Sequence, residues 1–284
     1  MIFKNLIFFK TKMEIKLFDQ KKIIIFESIF KNLKNIIKEC NIEFNENSIF
    51  IQGMDTTHAL LFELNIQSDW FDNYIIETPN TFGIHCETFF KIINCLKNTE
   101  KIELKRESED SEILEISFVG EKNQISKQFE LTEIQIESNK MDIPNMEYEV
   151  DIQMKTLDLT NIVKELTIFN ENININFNQD NLEFDTVGTL GKAKMLLNED
   201  SIESYAIEED LCYNLQFSAE YFNNICTFNK LNEIINIHSS KETPLKILYN
   251  LDDINKEQNF EDDDDDKENG IKSYCAFYIA SIMV

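Results

Sequence analysis

Histidine, proline and glycine are scarce in this chain, and its cysteines lack the spacing of a metal site. The 284 residues include three histidines, three prolines and six glycines. The six cysteines form no C-x-x-C pair and no H-x-H pattern occurs, so a zinc site is not expected. The histidines at positions 58, 85 and 238 indicate no catalytic cluster. We therefore expect reduced thiols in an intracellular compartment, no metal or other cofactor, and no enzyme activity.

The chain also lacks an apolar run long enough to cross a membrane. Residues 1–12 (MIFKNLIFFKTK) are apolar with lysines, but their longest apolar run has four residues. Such a run is too short for a signal peptide or a membrane span. We interpret residues 1–12 as an N-terminal extension, with Met13 as an alternative start, and we expect no membrane partner.

Positive charge is in short supply. Lysine and arginine number 27 against 52 aspartates and glutamates, which gives a formal net charge of -25. The acidic run at residues 252–268 accounts for only part of this excess. A surface of this kind repels nucleic acid unless basic side chains gather locally. Charge alone therefore favours a soluble acidic protein without DNA contact.

The order of predicted elements indicates an α+β fold with mainly antiparallel sheets. The hydrophobic content of 43% is enough for real cores, and the length fits two domains. Apolar periodicity predicts helices over residues 24–40, 87–98, 157–169 and 219–229. Strands are predicted over residues 42–44, 49–51, 59–64, 69–78, 81–84, 101–106, 113–118, 124–131, 173–177, 182–185, 213–217, 231–238, 244–251 and 271–284. No regular strand–helix–strand alternation occurs, which argues against a parallel sheet.

An internal repeat predicts two similar domains. The first helix is followed by a strand, an Asn-rich turn and a second strand at residues 42–51, and the same pattern recurs at residues 173–185. Residues 132–147 are polar, include Pro144 and are typical of a linker. We therefore expect one domain over 13–131, a connecting loop over 132–147 and a second domain over 148–284. The acidic insertion 252–269 is interpreted as a disordered hairpin loop in the second domain.

Lysines on the predicted helices lie away from the apolar faces. Lys31, Lys34 and Lys38 recur at i, i+3 and i+7, and Lys91 lies off the apolar face of the second helix. A lysine face on one helix is usually solvated surface. The alternative is a local concentration of positive charge that meets an acidic partner.

Seven short segments carry a resemblance to a known family. They are residues 52–58 (QGMDTTH), 71–74 (FDNY), 91–95 (KIINC), 142–144 (DIP), 188–191 (GTLG), 243–245 (TPL) and 271–274 (IKSY). Their order and spacing resemble the proliferating cell nuclear antigen family of eukaryotic-type sliding clamps, from Met13 to Tyr278. The resemblance implies the DNA clamp fold, in which two similar domains have outer antiparallel sheets and inner helices. It also implies that three chains join head-to-tail into a ring around duplex DNA.

The resemblance assigns an interface and a DNA-binding surface. By position, the strand at 124–131 of one chain meets the strand at 190–197 of the next. The interface residues implied are Phe129, Leu131, Leu190 and Met195. The alternative is that Phe129 packs only inside its own sheet. The implied DNA contacts, to phosphates alone, are Lys31, Lys34, Lys38, Lys91 and Lys164.

This chain departs from the family on the helix surface. Where the family carries basic residues, it has Asn94, Asn161, Glu220 and Thr227. We therefore expect a weaker positive field in the channel than in better-known members, with DNA affinity affected more than ring formation.

The resemblance also implies a partner-peptide pocket beneath the connecting loop. Family clients bind through a peptide of the form Q-x-x-aliphatic-x-x-aromatic-aromatic. The matching pocket residues are Met54, His58, Leu61, Met141, Ile143, Pro144, Pro244, Tyr274 and Ala276. Each could alternatively be an ordinary core residue. Phe277 replaces a proline of the family, so we expect a different pocket floor.

The function implied is that of a DNA sliding clamp, a processivity factor without catalytic residues. Its implied partners are duplex DNA, DNA polymerase and other replication or repair clients, a clamp loader and further copies of itself. The expected location is the nucleus, or a viral replication compartment. The alternatives are a subunit of a heterotrimeric or checkpoint-type clamp, a peptide-binding adaptor that does not encircle DNA, and an acidic α+β enzyme with an undetected site.

Overall fold

A computed structural model describes residues 13–97, 100–108, 111–120, 126–137, 140–144, 146–198, 201–252 and 272–282. The proposed N-terminal extension 1–12 lies outside these ranges. So does the acidic insertion 252–269, apart from its first residue. The interpretations of both segments therefore stay predictions.

Within the described residues, both halves of the chain have the same order of elements. The first half contains β1 (Met13–Leu17), α1 (Gln20–Leu33), β2 (Glu39–Phe44), β3 (Ser48–Met54), β4 (Leu60–Gln67), β5 (Asn73–Ile76), β6 (Asn80–His85), α2 (Cys86–Ile93), β7 (Lys101–Arg106), β8 (Ile113–Val119) and β9 (Lys127–Thr132). The second half contains β10 (Val150–Lys155), α3 (Thr156–Leu166), β11 (Asn172–Phe177), β12 (Leu182–Gly188), β13 (Gly191–Leu197), β14 (Ser204–Ile207), β15 (Tyr213–Ser218), α4 (Ala219–Cys226), β16 (Ile234–Ser239), β17 (Leu245–Asn250) and β18 (Tyr274–Ile279).

The repeat extends to single hydrogen bonds. The Tyr74 hydroxyl on β5 donates to the Asn45 carbonyl in the β2–β3 turn at 2.6 Å. At the equivalent place in the second half, the Tyr205 hydroxyl on β14 donates to the Asn178 carbonyl at 2.8 Å. One architecture is therefore used twice, and each element of one half has a counterpart in the other.

The first helix is shorter than its apolar periodicity predicts. It begins at Gln20 because the Asp19 side chain accepts from the N–H groups of Lys21 and Lys22, at 2.8 and 3.1 Å. It ends at Leu33, after which backbone bonds of the 3₁₀ type close a turn. The predicted helix 24–40 is therefore wrong at its end. Ile36 and Ile37 are buried through the turn, which prolongs the apolar pattern beyond the helix.

Several other boundaries differ from the predictions. The helices α2, α3 and α4 each end a few residues before the expected position, because tight turns satisfy their last carbonyls. Within the predicted strand 69–78, Trp70 ends a short 3₁₀ helix (Ser68–Trp70), and the strand is confined to Asn73–Ile76. The strands β1, β10 and β14 were not predicted.

The strands form three sheets in which each recorded pairing is antiparallel. A five-stranded sheet has the order β5-β1-β7-β8-β9, and a four-stranded sheet has the order β13-β12-β11-β15. A nine-stranded sheet has the order β14-β10-β16-β17-β18-β4-β3-β2-β6 and combines strands from both halves. The prediction of an α+β fold with antiparallel sheets is confirmed.

The two halves join where β18 pairs with β4. Phe277 lies opposite Phe62, and Ile279 lies opposite Leu60. On the inner face of this seam, the Phe277 ring lies 5.5 Å from that of Phe62 and 4.9 Å from that of Phe228. The seam is therefore part of a continuous hydrophobic core that extends into both halves.

The four helices lie next to one another on this inner side. The rings of Phe30 on α1 and Phe89 on α2 are 4.5 Å apart. Asn32 on α1 donates to the carbonyl of Thr227 at the end of α4 at 2.9 Å, and α3 packs against α4. The order α2, α1, α4, α3 leaves the opposite face of the nine-stranded sheet free of helices.

Truncating Phe277 to alanine tests the seam. Phe277 is fully buried between aromatic rings from both halves. We expect Phe277→Ala to lower the free energy of unfolding by about 3–5 kcal/mol, measured by chemical denaturation. The matched control Leu157→Ala removes a side chain that is 65% exposed and should change stability by less than about 0.5 kcal/mol. Equal effects of the two substitutions would contradict this account of the core.

Candidate functional site

The lysines predicted to bind a polyanion are concentrated at the C-terminal ends of the helices. Lys31, Lys91 and Lys164 lie in the last turns of α1, α2 and α3, and all three are exposed. A cation at this end of a helix interacts favourably with the helix dipole. Lys34 follows α1 with its Nζ 5.2 Å from the Phe90 ring centroid, and Lys38 lies in the turn before β2.

The positive charge on this surface is uneven. Lys91 pairs with Glu87 at 2.9 Å, and the hydrogen bond from Lys91 lowers the pKa of the Glu87 carboxyl. The last turn of α4 carries no basic residue. The four positions where the resemblance implies basic residues in the family, Asn94, Asn161, Glu220 and Thr227, are all exposed here. In the first half, Lys31 and Lys91 lie on two adjacent helices and Lys34 and Lys38 follow the first of them, whereas Lys164 lies in the second half.

A second, smaller hydrophobic cluster lies on the outer face of the seam. Its buried members are Leu61, Leu248, Ala276 and Tyr278, and Met54, Ile143 and Tyr274 pack against it. Five residues of the predicted peptide pocket therefore lie in one cluster: Met54, Leu61, Ile143, Tyr274 and Ala276. Neighbouring residues alternate between the two faces of β4 and β18, which separates this cluster from the main core.

The expectation about Phe277 is wrong. Its side chain lies on the inner face of β18, in contact with rings of the main core. Its neighbours Ala276 and Tyr278 face outward and form the floor of the outer cluster. Phe277 therefore contributes to the core between the halves and does not form the floor of the outer cluster.

The connecting segment, of which the structure describes residues 132–137, 140–144 and 146–147, is held against the first half by its side chains. The Gln52 amide donates to the Met141 carbonyl at 3.0 Å and accepts from the Met141 N–H at 2.8 Å. Lys140 pairs with Glu43 at 3.0 Å. Nearer the start of the segment, the Ile134 N–H donates to the Gly83 carbonyl, and a Cβ at Gly83 would lie 2.0 Å from the Ile134 carbonyl oxygen. Glycine is therefore required at position 83.

The connecting segment borders two cavities. One of about 330 Å³ is lined by Met141, Ile143, Pro144 and Tyr274 of the predicted pocket, together with residues that the sequence did not predict. The other, of about 230 Å³, is lined by Met54, His58 and Leu61. Pro244 is exposed and immediately precedes β17, at the same rim as the β3–β4 turn.

The β3–β4 turn places His58 at the exposed lip of the second cavity. The Asp55 carboxylate accepts from the N–H groups of Ala59 and Leu60 at 2.9 and 2.8 Å. Burial opposes ionisation of this carboxyl, but these hydrogen bonds and those from Thr57 outweigh it and lower the Asp55 pKa. His58 adopts a φ of 59°, which the tight turn requires.

The larger cavity and the adjoining outer hydrophobic cluster, together called the groove, contain polar residues that sequence reasoning missed. Glu63 is 8% exposed, and its carboxylate accepts from Gln52 Nε2 at 3.0 Å and from the Tyr274 hydroxyl at 2.7 Å. Burial and the bond to Glu63 raise the pKa of Tyr274. Lys246 lines the same groove. Both charged residues interrupt apolar strands, in LLFELNI and PLKILY, and this signal in the sequence could have identified them.

The strands predicted at a subunit interface are both sheet edges. β9 ends the five-stranded sheet and β13 ends the four-stranded sheet. Phe129 is partly buried, with its ring 5.6 Å from Phe118 in its own sheet, and Leu131 is buried. Met195 is partly buried, whereas Leu190 in the β12–β13 turn is 94% exposed. Phe129 contacts Phe118 in its own sheet and is still partly exposed, so it could also contact a second strand at the free edge of β9.

In the described ranges, no three His, Cys, Asp or Glu side chains are grouped so that they could hold a metal ion. Among the helices of the same ranges, none combines the length and the apolar character needed to cross a bilayer.

Comparison with known proteins identifies one family over most of the chain. The model of the proliferating cell nuclear antigen N-terminal domain matches residues 13–141, and that of the C-terminal domain matches residues 142–262. The proliferating cell nuclear antigen of Chaetomium thermophilum is 24% identical over 261 residues, covering 90% of this chain and 93% of that protein. Proliferating cell nuclear antigen 2 of Plasmodium falciparum is 28% identical over 232 residues, covering 80% of this chain and 87% of that protein.

Removing the Gln52 side chain tests how the connecting segment is held. We expect Gln52→Ala to increase hydrogen exchange at the Met141 amide by roughly thirtyfold, because two hydrogen bonds of about 1 kcal/mol each are lost. Hydrogen exchange with mass spectrometry measures this directly. Gln153→Ala, on the exposed side of β10, is the matched control and should leave exchange in residues 140–144 unchanged. An equally slow Met141 amide in Gln52→Ala would show that the segment is held by other contacts.

Proposed function

Since this chain belongs to the proliferating cell nuclear antigen family and is a DNA sliding clamp, we propose that three identical copies close head-to-tail around duplex DNA. The clamp has no catalytic role: it keeps DNA polymerase and other clients on the template because a closed ring cannot leave DNA sideways. A separate loader opens it. We also propose a nuclear location, as for a replication and repair factor.

The observation that carries the ring proposal is the internal seam between β18 and β4. In the repeat, β9 is the counterpart of β18, and β13 is the counterpart of β4. Phe129 pairs with Ile116 of β8, and Phe277 pairs with Ile247 of β17. Since β8 and β17 are counterparts in the repeat, the two phenylalanines occupy equivalent positions. The free edges of β9 and β13 are therefore the same two surfaces that already pair once within the chain. A head-to-tail contact of this kind can close into a ring.

Transferring the register of the seam gives the contacts between subunits. Ala193 is the counterpart of Phe62, so it lies opposite Phe129 of the neighbouring subunit. In the same register, Leu131 faces Gly191 and Met195 faces Lys127, while Leu190 lies just beyond the paired residues. The small residues of β13 leave space for the Phe129 ring.

One pair of outward-facing side chains on the two edges is complementary in charge. The transferred register places Glu130 of β9 opposite Lys192 of β13, whereas it places the uncharged Gln128 opposite Lys194, which is already paired with Glu183 at 2.6 Å. Glu130, Lys192 and Lys194 are exposed in the single chain. Opposite charges at facing positions stabilise a strand pair, and like charges destabilise it. These edges therefore favour association of the chain with itself.

Ring closure through the sheet edges places the four helices toward the opening. Lys31, Lys34, Lys38, Lys91 and Lys164 then face DNA phosphates, and symmetry multiplies them. Contacts to phosphates alone are independent of base sequence and weaken with salt, so the ring slides. The acidic outer surface repels DNA and keeps the duplex inside the channel.

Client peptides bind, in this proposal, at the outer hydrophobic cluster. Met54, Leu61, Ile143, Tyr274 and Ala276 provide the apolar surface for the two aromatic side chains of a Q-x-x-aliphatic-x-x-aromatic-aromatic peptide. Met141, Pro144, His58 and Pro244 form the surrounding rim. Methionine adapts to aromatic groups of different shape, which suits a site with several clients.

The second candidate function is a subunit of a heterotrimeric or checkpoint-type clamp. The observation that favours it is the uneven helix surface, where the last turn of α4 carries no basic residue. The complementary edges of the single chain favour the homotrimer, because they need no second kind of subunit.

A charge exchange tests the proposed interface. We expect Glu130→Lys and Lys192→Glu each to raise the dissociation constant of the ring by about tenfold or more, because like charges then face each other. The double variant Glu130→Lys/Lys192→Glu restores opposite charges and should recover association, measured by sedimentation velocity. Glu233→Lys, exposed and distant from both edges, is the matched control. Failure of the double variant to recover would contradict the register.

Charge reversal on the helices tests the DNA channel. We expect Lys31→Glu/Lys34→Glu/Lys91→Glu to shorten retention on circular DNA after loading by about tenfold or more, since phosphate contacts are replaced by repulsion. The control Lys155→Glu/Lys241→Glu/Lys272→Glu makes the same change in net charge at exposed positions outside the helices. Unchanged retention in the helix variant would contradict the encircling ring and favour an adaptor that does not enclose DNA.

A further inference from the structure

A lysine lies on the floor of the larger cavity beside the connecting segment. Lys246 is on the outer face of β17, where it pairs with His238 of β16 on one side and Tyr278 of β18 on the other. It lines the cavity of about 330 Å³ together with Tyr148, Tyr274 and Tyr278. The cavity adjoins the outer hydrophobic cluster because Tyr278 belongs to both.

The surroundings of Lys246 partly shield its ammonium group from water. Its Nζ lies 5.9 Å from the Tyr148 ring centroid and 5.7 Å from that of Tyr278. Burial lowers the pKa of Lys246, although Glu63 opposes this effect. An ammonium group in such surroundings gains from a nearby carboxylate, which replaces part of its lost hydration.

In the part of the chain that the structure describes, Lys246 forms no salt bridge. The neighbouring carboxylate of Glu63 accepts hydrogen bonds at both oxygens, from Gln52 and Tyr274. Lys140 is paired with Glu43, and Asp142, which also lines the cavity, is exposed. The ammonium group of Lys246 is therefore available to an incoming anion.

We propose that Lys246 is an anion-binding subsite that selects client peptides carrying an aspartate or glutamate close to their aromatic anchors. The proposal rests on the proposed function, since it adds a specificity to the same peptide groove. Lys246, Tyr278 and Leu61 lie side by side on three neighbouring strands, so Lys246 and Leu61 are two strand spacings apart, about 10 Å. An extended peptide covers this distance in about three residues. Tyr148 and Tyr278 line the same cavity, and a tyrosine hydroxyl can donate to a carboxylate.

The test is a set of matched synthetic peptides titrated against the full chain by isothermal calorimetry. Each peptide carries the Q-x-x-aliphatic-x-x-aromatic-aromatic pattern and one aspartate, moved through the flanking positions, with an asparagine version of each. We expect aspartate at one position to bind about tenfold tighter than asparagine, with the advantage reduced by salt. Lys246→Met keeps the apolar stem and should remove this difference while the asparagine peptide binds as before. Lys241→Met, an exposed lysine in the turn before β17, is the control and should retain the preference.

The outcomes separate the subsite from the groove itself. If aspartate and asparagine peptides bind the unmodified chain equally at each position, the subsite is wrong although the peptide groove stands. A preference that survives in Lys246→Met also contradicts it. If no peptide of the set binds, the proposed client site is wrong as well. A further pair of peptides lacks the added aspartate and differs only at the C-terminus, which is a free carboxylate in one and an amide in the other. A stronger preference for the free C-terminus than for aspartate would contradict selection of an acidic side chain.

Discussion

The antiparallel pairing of β18 with β4 is the interaction on which the rest of this structure depends. It joins two similar halves into one nine-stranded sheet and buries Phe62, Phe228 and Phe277 between them. Because the pairing fixes the relative orientation of the halves, it brings α1 beside α4 and places four helices on one side. The lysine-bearing surface is therefore a consequence of a strand pair that is distant from it in the sequence.

The same pairing underlies the proposed client site and the proposed subunit interface. On its outer face, it places Leu61 of the first half beside Ala276 and Tyr278 of the second, and the connecting segment passes over them. In the described sheets, β9 and β13 are end strands, and each has one edge that pairs with no described strand. These edges are the repeat's counterparts of the strands that form the seam. A ring in which β9 of one subunit pairs with β13 of the next repeats the strand pairing of the seam and needs no new type of interaction. Glu130 and Lys192 provide opposite charges across this proposed interface.

Much of this fold follows from local sequence patterns. Alternation identified strands such as β7 and β8, and the repeat of strand, turn and strand identified two similar halves. The helix end near Leu33 could not be placed, since Ile36 and Ile37 stay buried through the following turn. The roles of Glu63, Lys246 and Phe277 were also beyond local reasoning. The sequence shows a charged or aromatic residue within an apolar strand at each of these positions. What surrounds each side chain depends on the pairing of β18 with β4, which joins residues more than two hundred positions apart.

Cryo-electron microscopy of the purified chain is the most direct measurement of the central claim, that the seam is repeated between identical subunits. The account predicts closed rings of six similar domains, with the sheets on the outer rim, β9 paired with β13 of the next chain, and the helices around a central opening that admits duplex DNA. Single chains at micromolar concentration would contradict it. So would rings in which other edges pair or the helices face outward.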